Sequence, residues 1–213
     1  MPQNLQILKL DAGNAFGQQG RAMAISNMAA EDTTILDQYK LTTTDLSPYN
    51  VLVVTDFIDQ EYLFEQRDVI LDFLNAGKIV IASTHIFRAW LPNVNFFMPK
   101  PIFKHSDYEL VVANDSTIFE GVDMQELAYR KQVSGFYARG YHPVTVKDAE
   151  VLLTFTDGTP ITYVDRTSTN GTMLVHSARD LLSYATGDNT TSRITPQTKE
   201  WLKEELQRLS EGK

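Results

Sequence analysis

Hydrophobic and polar positions along the chain follow two rhythms, one of period two and one near period 3.6. Leu5–Leu10 alternates well enough to predict a first strand. Asp11–Gly20, with its three glycines and small polar residues, predicts a loop. Arg21–Ala30 then predicts a helix whose Ala22, Met23, Ile25, Met28 and Ala29 share a broad apolar face. Thr33–Tyr39 is a second strand candidate. After the Ser47–Pro48 turn, Val51–Val54 is an unbroken β-branched and leucine run, the pattern of a strand buried on both faces of a parallel sheet. Between Gln60 and Leu74, the residues Tyr62, Gln66, Val69, Ile70, Phe73 and Leu74 recur at helical spacing, and Gly77 stands where that helix should stop. Lys78–Ser83 begins another buried strand. The span 51–83 therefore reads as a right-handed βαβ unit with parallel strands, adjacent or nearly so. Ligands of such sheets bind beyond the carboxyl ends of the strands, which places a crevice near Thr55–Asp59 and Ser83–Trp90.

The middle of the chain changes character. Pro92, Pro99 and Pro101 interrupt a segment rich in Phe and Asn, and an irregular insertion is expected at about 92–107. Tyr108–Ala113, Val133–Ala138 and Val151–Phe155 are further strand candidates. Pro160–Asp165 and Gly171–His176 form a hairpin-like pair across Arg166–Asn170. Thr195–Pro196 predicts a helix start with proline at the first helical position, and Leu202, Leu206 and Leu209 line one face of that closing helix. The element order predicts one α/β domain over 1–213, with a mostly parallel central sheet and helices on both faces.

Composition narrows the function more than it defines it. With 43% hydrophobic residues, 213 residues suffice for one sizeable core. The formal charge of -8 repels phosphate backbones and anionic lipid surfaces, so neither nucleic acid nor membrane is an expected partner. No apolar run approaches the ~20 residues of a membrane span. The opening ten residues lack a secretory pattern, and a cytoplasmic location is expected. The absence of cysteine removes disulfides, thiolate nucleophiles and cysteine-bound metal.

Three stretches carry a family likeness. Tyr49–Phe57, the following helix and Gly77-Lys78-Ile79-Val80-Ile81-Ala82-Ser83-Thr84-His85 resemble the core of the class I glutamine amidotransferase-like superfamily, in which such a strand leads into the turn bearing the nucleophilic cysteine. Gly171–His176 is similar to the strand that delivers the family's catalytic histidine. Ser116–Val122 resembles a stretch that often precedes it in amidotransferase-like and trehalose-utilisation-like proteins. The resemblance covers roughly Leu5–Ser183 and implies a flavodoxin-like three-layer sandwich. The departures are chemical: the cysteine position falls on Thr84, the acidic residue two beyond the histidine is Ala178, and Thr55-Asp56-Phe57 replaces the oxyanion glycines. Glutamine hydrolysis by the family mechanism is therefore not expected.

What remains is a set of candidates. Thr84 offers a hydroxyl, His176 a base and Asp180 an orienting carboxylate for acyl transfer; alternatively Thr84 caps a following helix. His85 could bind a metal, act as an acid or contact a ligand, with His142 and His176 if the fold brings them together, or serve only as a structural or surface residue. Asp56 and Asp59 suit ligand hydroxyls or a hard cation, or cap the next helix. Arg88 and Trp90 combine a fork donor with a flat apolar face, suited to a sugar or ring, although a Trp also packs readily in a core. Arg139, Tyr141 and His142 lie in Gly135–Pro143, which reads either as a loop over a pocket or as a plain turn. The loop after the first strand lacks both P-loop lysine and dinucleotide glycine spacing, so no phosphate cofactor is expected, and no spacing indicates a metal set. Three functions fit: a non-catalytic or ligand-binding protein taking a small molecule or carbohydrate; a hydrolase or carbohydrate-processing enzyme using His85, His176 and nearby carboxylates; or a structural protein, with a second copy of the chain as one candidate partner.

Overall fold

The computed structural model describes residues 4–13, 31–129, 133–135, 137–184 and 187–212. The helix expected at Arg21–Ala30, and most of the loop before it, lie outside these residues. Ten strands are described: β1 (Ile7–Asp11), β2 (Thr33–Asp37), β3 (Val51–Thr55), β4 (Ile79–Ser83), β5 (Met98–Pro99), β6 (Leu110–Val112), β7 (Gly140–Tyr141), β8 (Glu150–Phe155), β9 (Pro160–Asp165) and β10 (Thr172–His176). The helices are α1 (Gln60–Glu65), α2 (Arg67–Asn75), α3 (Met124–Ala128) and α4 (Ile194–Ser210). Eight strands make one sheet in the order β2-β1-β3-β4-β10-β9-β8-β6. The first five are parallel, and the pairs beyond β10 are antiparallel. This is the α/β domain with a mostly parallel sheet that the element order predicts, and the flavodoxin-like sandwich that the resemblance implies.

Period-two alternation within the buried strands divides the core into two layers. On one face Ile7, Val53, Ile81, Leu174 and Val164 pack with Trp201, Leu202 and Leu206 of α4. On the other, Leu8, Val54, Ala82, Val175 and Tyr163 pack with Ile70, Phe73 and Leu74 of α2. Helix α4 is also held by charge. Burial by itself would raise the Glu205 carboxyl, but hydrogen bonds from Arg208, Arg166 and Thr172 keep it below the ordinary carboxylate range.

Several boundaries differ from the expected ones. The helix expected over 60–74 is two helices, because Gln66 leaves helical geometry at ψ 16°, and Arg67 Nη1 donates to the Phe64 carbonyl there at 2.9 Å. Pro196 is the third residue of α4, not the first; its missing N–H still falls among the first-turn donors that lack an intrahelical partner. No strand is described over Val133–Ala138. Gly135 takes a left-handed φ of 82° against the Tyr108 ring, which ends extension; within the span Ala138 makes an isolated antiparallel bridge to Ala178, and the next strand is β7, paired with β5. No helix follows β4, so Thr84 caps none. Asp59 does cap α1, accepting from Glu61 N and Tyr62 N at 3.1 Å each.

Two glycines set how closely layers approach. A Cβ on Gly171 would lie 2.1 Å from the Lys78 carbonyl oxygen and 2.5 Å from that of Leu74, where β10 begins beside α2. Gly171→Ala must push backbone apart, and urea unfolding is expected to show a loss of about 1–3 kcal/mol. Gly158→Ala meets nothing within 4 Å but sits at φ +83°; it should cost only the left-handed penalty of about 1 kcal/mol.

Candidate functional site

The register of the sheet builds the site. Thr55 pairs with Ser83, Ser83 with His176 and His176 with Thr162, so four polar residues form one row across β3, β4, β10 and β9 at the carboxyl edge of the parallel strands. One step inward, the same columns hold Val53, Ile81, Leu174 and Val164, all apolar. The change from hydrocarbon to hydroxyl and imidazole marks where the core stops.

His176 is completely buried within that row. Its Nδ1 accepts from the Thr162 hydroxyl at 2.7 Å and its Nε2–H donates to the Arg179 carbonyl at 3.0 Å. Both ring nitrogens are thus engaged in structural hydrogen bonds, and burial lowers the imidazole pKa to about 4 in spite of the nearby Asp180 carboxylate. Asp180 itself forms an ion pair with Lys9, a lysine only 2% exposed between the apolar Leu8 and Leu10 of β1, and its side chain accepts from Leu182 N at 3.0 Å. The Thr84 hydroxyl lies near the Asp56 carboxylate and favours its ionised form. The three residues considered for acyl transfer therefore sit near the same edge but in separate hydrogen-bonding arrangements.

A second polar group lies one residue beyond the row, where β3 and β4 turn out of the sheet. Asp56 is exposed, and desolvation at the crevice raises its carboxyl above the ordinary range; neighbouring Asp180 pushes the same way, while His85 and the Thr84 hydroxyl oppose. Burial pushes the His85 pKa down, with Arg139 adding to the shift and Asp56 and the Ser177 main chain opposing it. Phe97 stacks on His85, with ring centroids 3.7 Å apart and planes 15° apart.

The turn carrying Thr84 and His85 is fixed from beneath. Gln60, the first residue of α1 and 4% exposed, donates through Nε2 to the His85 carbonyl at 2.7 Å. Its Oε1 accepts from Phe87 N at 2.9 Å and from the Trp90 indole at 3.3 Å. His142, 1% exposed, accepts from Ile86 N at 3.0 Å through Nε2, and its Nδ1 has no hydrogen-bond partner among the described residues. The Phe97 segment is held over this turn by β5–β7 pairing, by Phe97 N donating to the Ile86 carbonyl at 2.7 Å, and by Gly140, where a Cβ would meet the Met98 carbonyl at 2.3 Å.

Not every candidate lies at this surface. Trp90 is 1% exposed and its indole N–H is engaged, so it offers no face to a sugar; its role is packing. Arg88 is exposed but paired with Glu61 of α1. His142 supports the turn from inside instead of meeting solvent. Arg139 is exposed, with Nε donating to the Gly135 carbonyl at 2.6 Å and its charge within reach of His85. No group of three His, Cys, Asp or Glu among the described residues is arranged to hold a metal ion. Two surface hollows lie elsewhere, one along Val112–Val122 and one at the amino edge by Asn4, Tyr49 and Lys78. Sequence reasoning missed Gln60, Phe97 and Lys9. Lys9 had a signal, as a lone charge inside an apolar strand.

Comparison with solved structures supports the fold. A candidate GMP synthase component from Thermoplasma acidophilum matches over 98% of this chain and 97% of its own, with TM-score 0.57 and 11% identity. At that identity the likeness is one of fold. A cytoplasmic protein from Salmonella typhimurium LT2 matches over 97% and 99%, with TM-score 0.49 and 13% identity, a weaker likeness. No protein-family model matches the sequence, and comparison with curated proteins found no match. No helix among the described residues is long and apolar enough to cross a membrane.

The buried imidazoles predict a pH dependence. His142 and His176 have folded pKa values of about 3 and about 4, both lowered chiefly by burial, against an ordinary value of 6.5. Between those limits the unfolded chain binds more protons than the folded one, so stability is full above pH ~6.5 and falls as pH drops towards 4. Each histidine contributes a slope of up to ~1.4 kcal/mol per pH unit. Urea titrations between pH 7 and pH ~4.5 should show this decline, and His176→Gln should flatten it.

Proposed function

We propose that this chain is a ligand-binding protein built on an amidotransferase-like fold, with its functional surface at the carboxyl edge around Asp56, Thr84, His85 and Arg139. The observation that carries the reading is the division of labour between two histidines. His176, at the position where the resemblance puts a catalytic base, spends both nitrogens inside the protein. His85, one residue past the position of the missing cysteine, stands exposed on a turn that Gln60 and His142 fix from behind. A rigid turn presenting polar groups over a buried support suits recognition, since little ordering is left to be done when a ligand arrives.

Support also comes from what acyl transfer requires. Thr84 is 3% exposed, and His176 spends its ring nitrogens on the Thr162 hydroxyl and the Arg179 carbonyl. A nucleophile needs a base within hydrogen-bond reach. The fold likeness to a candidate GMP synthase component concerns architecture, and glutaminase chemistry is not part of this proposal. The whole described chain is proposed to act as one domain, with the segment 92–107 supplying Phe97 as a cover over His85.

Amide chemical-shift mapping with a diverse fragment library is the direct test. Hits are expected to move Asp56, Thr84, His85 and Phe97, and His85→Ala is expected to weaken them about tenfold, or ~1.4 kcal/mol. No ammonia should form from glutamine above the buffer rate. Fragments that gather at the Val112–Val122 hollow instead, or an ester or glycoside turned over in a His85-dependent way, would refute the binding reading.

A further inference from the structure

Independently of the carboxyl-edge reading, we infer that the outer side of β6 and the hollow beside it dock an extended segment of a partner protein in which basic and apolar residues alternate. β6 is the last strand of the large sheet, and among the described residues only β8 pairs with it. Main-chain bonds at the two ends of that pair fix the alternation of the antiparallel ladder: Thr156 N donates to the Glu109 carbonyl at 3.2 Å, and Ala113 N to the Leu152 carbonyl at 2.9 Å. Glu109, Val111 and Ala113 therefore direct their main-chain groups at β8, while Leu110 and Val112 turn theirs outward. Natural sheet edges are guarded by lysine, proline, inward charges or brevity, and of these β6, Leu-Val-Val, has brevity alone. An extended chain laid along it would complete the ladder.

The hollow supplies the chemistry. About 690 Å³ in volume, it runs from Val112 along Asp115–Val122, and so begins where β6 presents its outward groups. Phe119 and Val122 are buried beneath it, whereas Asp115 and Glu120 stand exposed along it, and neither forms an ion pair among the described residues. Thr117 Oγ1 donates to Glu204 Oε2 of α4 at 2.9 Å, which brings a third carboxylate to the rim. Arg193 lies against Gly121, where a Cβ would be 3.1 Å from its Nη1, and leaves an excess of negative charge. Carboxylates only accept hydrogen bonds, and the ammonium and guanidinium groups of lysine and arginine only donate them, so a basic side chain fits this lining. A second copy of the chain would bring the acidic rim against its own, and charge therefore selects a different partner. The pleat sets the partner's pattern: residues on the Val112 side meet the hollow and are basic, and those between them meet Val111, 43% exposed on the opposite face, and are apolar.

Fluorescence anisotropy and amide chemical-shift mapping on the full chain test this with a labelled peptide, acetyl-Thr-Val-Lys-Val-Lys-Val-Thr-amide. One twin carries glutamate in place of lysine, and a second is N-methylated along its backbone. The lysine peptide is expected to move the amides of Val111–Asp115 and Glu120 and to bind about tenfold more tightly than either twin. Asp115→Asn combined with Glu120→Gln should weaken it about tenfold. Val112→Pro deletes an outward N–H at a place where edge strands tolerate proline, and should weaken it by a similar factor. If that variant does not fold, the N-methylated twin puts the same question to the unaltered protein. Equal binding of either twin, shifts confined to other surfaces, or no binding at about 1 mM peptide overturns the inference. So does a dimer in sedimentation that Val112→Pro dissolves, since the occupant is then a second copy. None of these results bears on the carboxyl-edge reading, whose fragments report on Asp56 and His85.

Discussion

The parallel ladder of β1, β3, β4 and β10 is the constraint from which the rest follows. Each of these strands is covered on both faces, by α4 on one side and α2 on the other, so its side chains must be apolar wherever a layer lies over them. Apart from Lys9, which its ion pair with Asp180 accommodates, polar groups on these strands lie where the strands end. Strict pairing carries that boundary across the sheet as a row, Thr55–Ser83–His176–Thr162, because a residue that faces the core on one strand fixes the facing of its partner on the next. The position of this polar row is thus a consequence of burial and register together.

At this boundary two requirements compete. Buried polar groups must be hydrogen-bonded, and groups that meet ligands must keep some capacity unspent. The molecule assigns these tasks to different residues. His176, Thr162, Lys9 and Asp180 satisfy one another inside. Gln60 and His142 face inward but spend their hydrogen bonds on the backbone of the turn after β4. Asp56 and His85 remain at the surface. This arrangement explains why an imidazole on the strand that resembles the catalytic one need not be a base: its surroundings, more than its place in the chain, decide its proton affinity.

Much of the architecture was legible in the sequence. Val51–Val54 and Lys78–Ser83 announced buried parallel strands through their apolar runs, and the register places their ends in one row. Irregular backbone was harder. The break at Gln66 has neither proline nor glycine to mark it, and Gly135 ends a strand-like pattern through a contact with Tyr108, 27 positions away along the chain. The site was legible in part for the same reason. Asp56 and His85 lie at strand ends, where local pattern points. Gln60, Phe97 and the engagement of His176 depend on contacts between segments far apart in the chain, which no local period encodes. Trp90 shows the converse: its residue type suggests a binding face, but the fold around it is closed.

The approach of Gly140 to the Met98 carbonyl fixes the segment over His85 through main-chain geometry. Phe96 and Met98, which flank Phe97 and are 51% and 48% exposed, are therefore not what keeps it in place. Their side chains form a layer that is adjustable in the sense of engineering: size and polarity at these two positions are open to exchange while the scaffold beneath keeps its shape. A library varied at 96 and 98 alone would alter the surface beside His85 without disturbing the main chain beneath it.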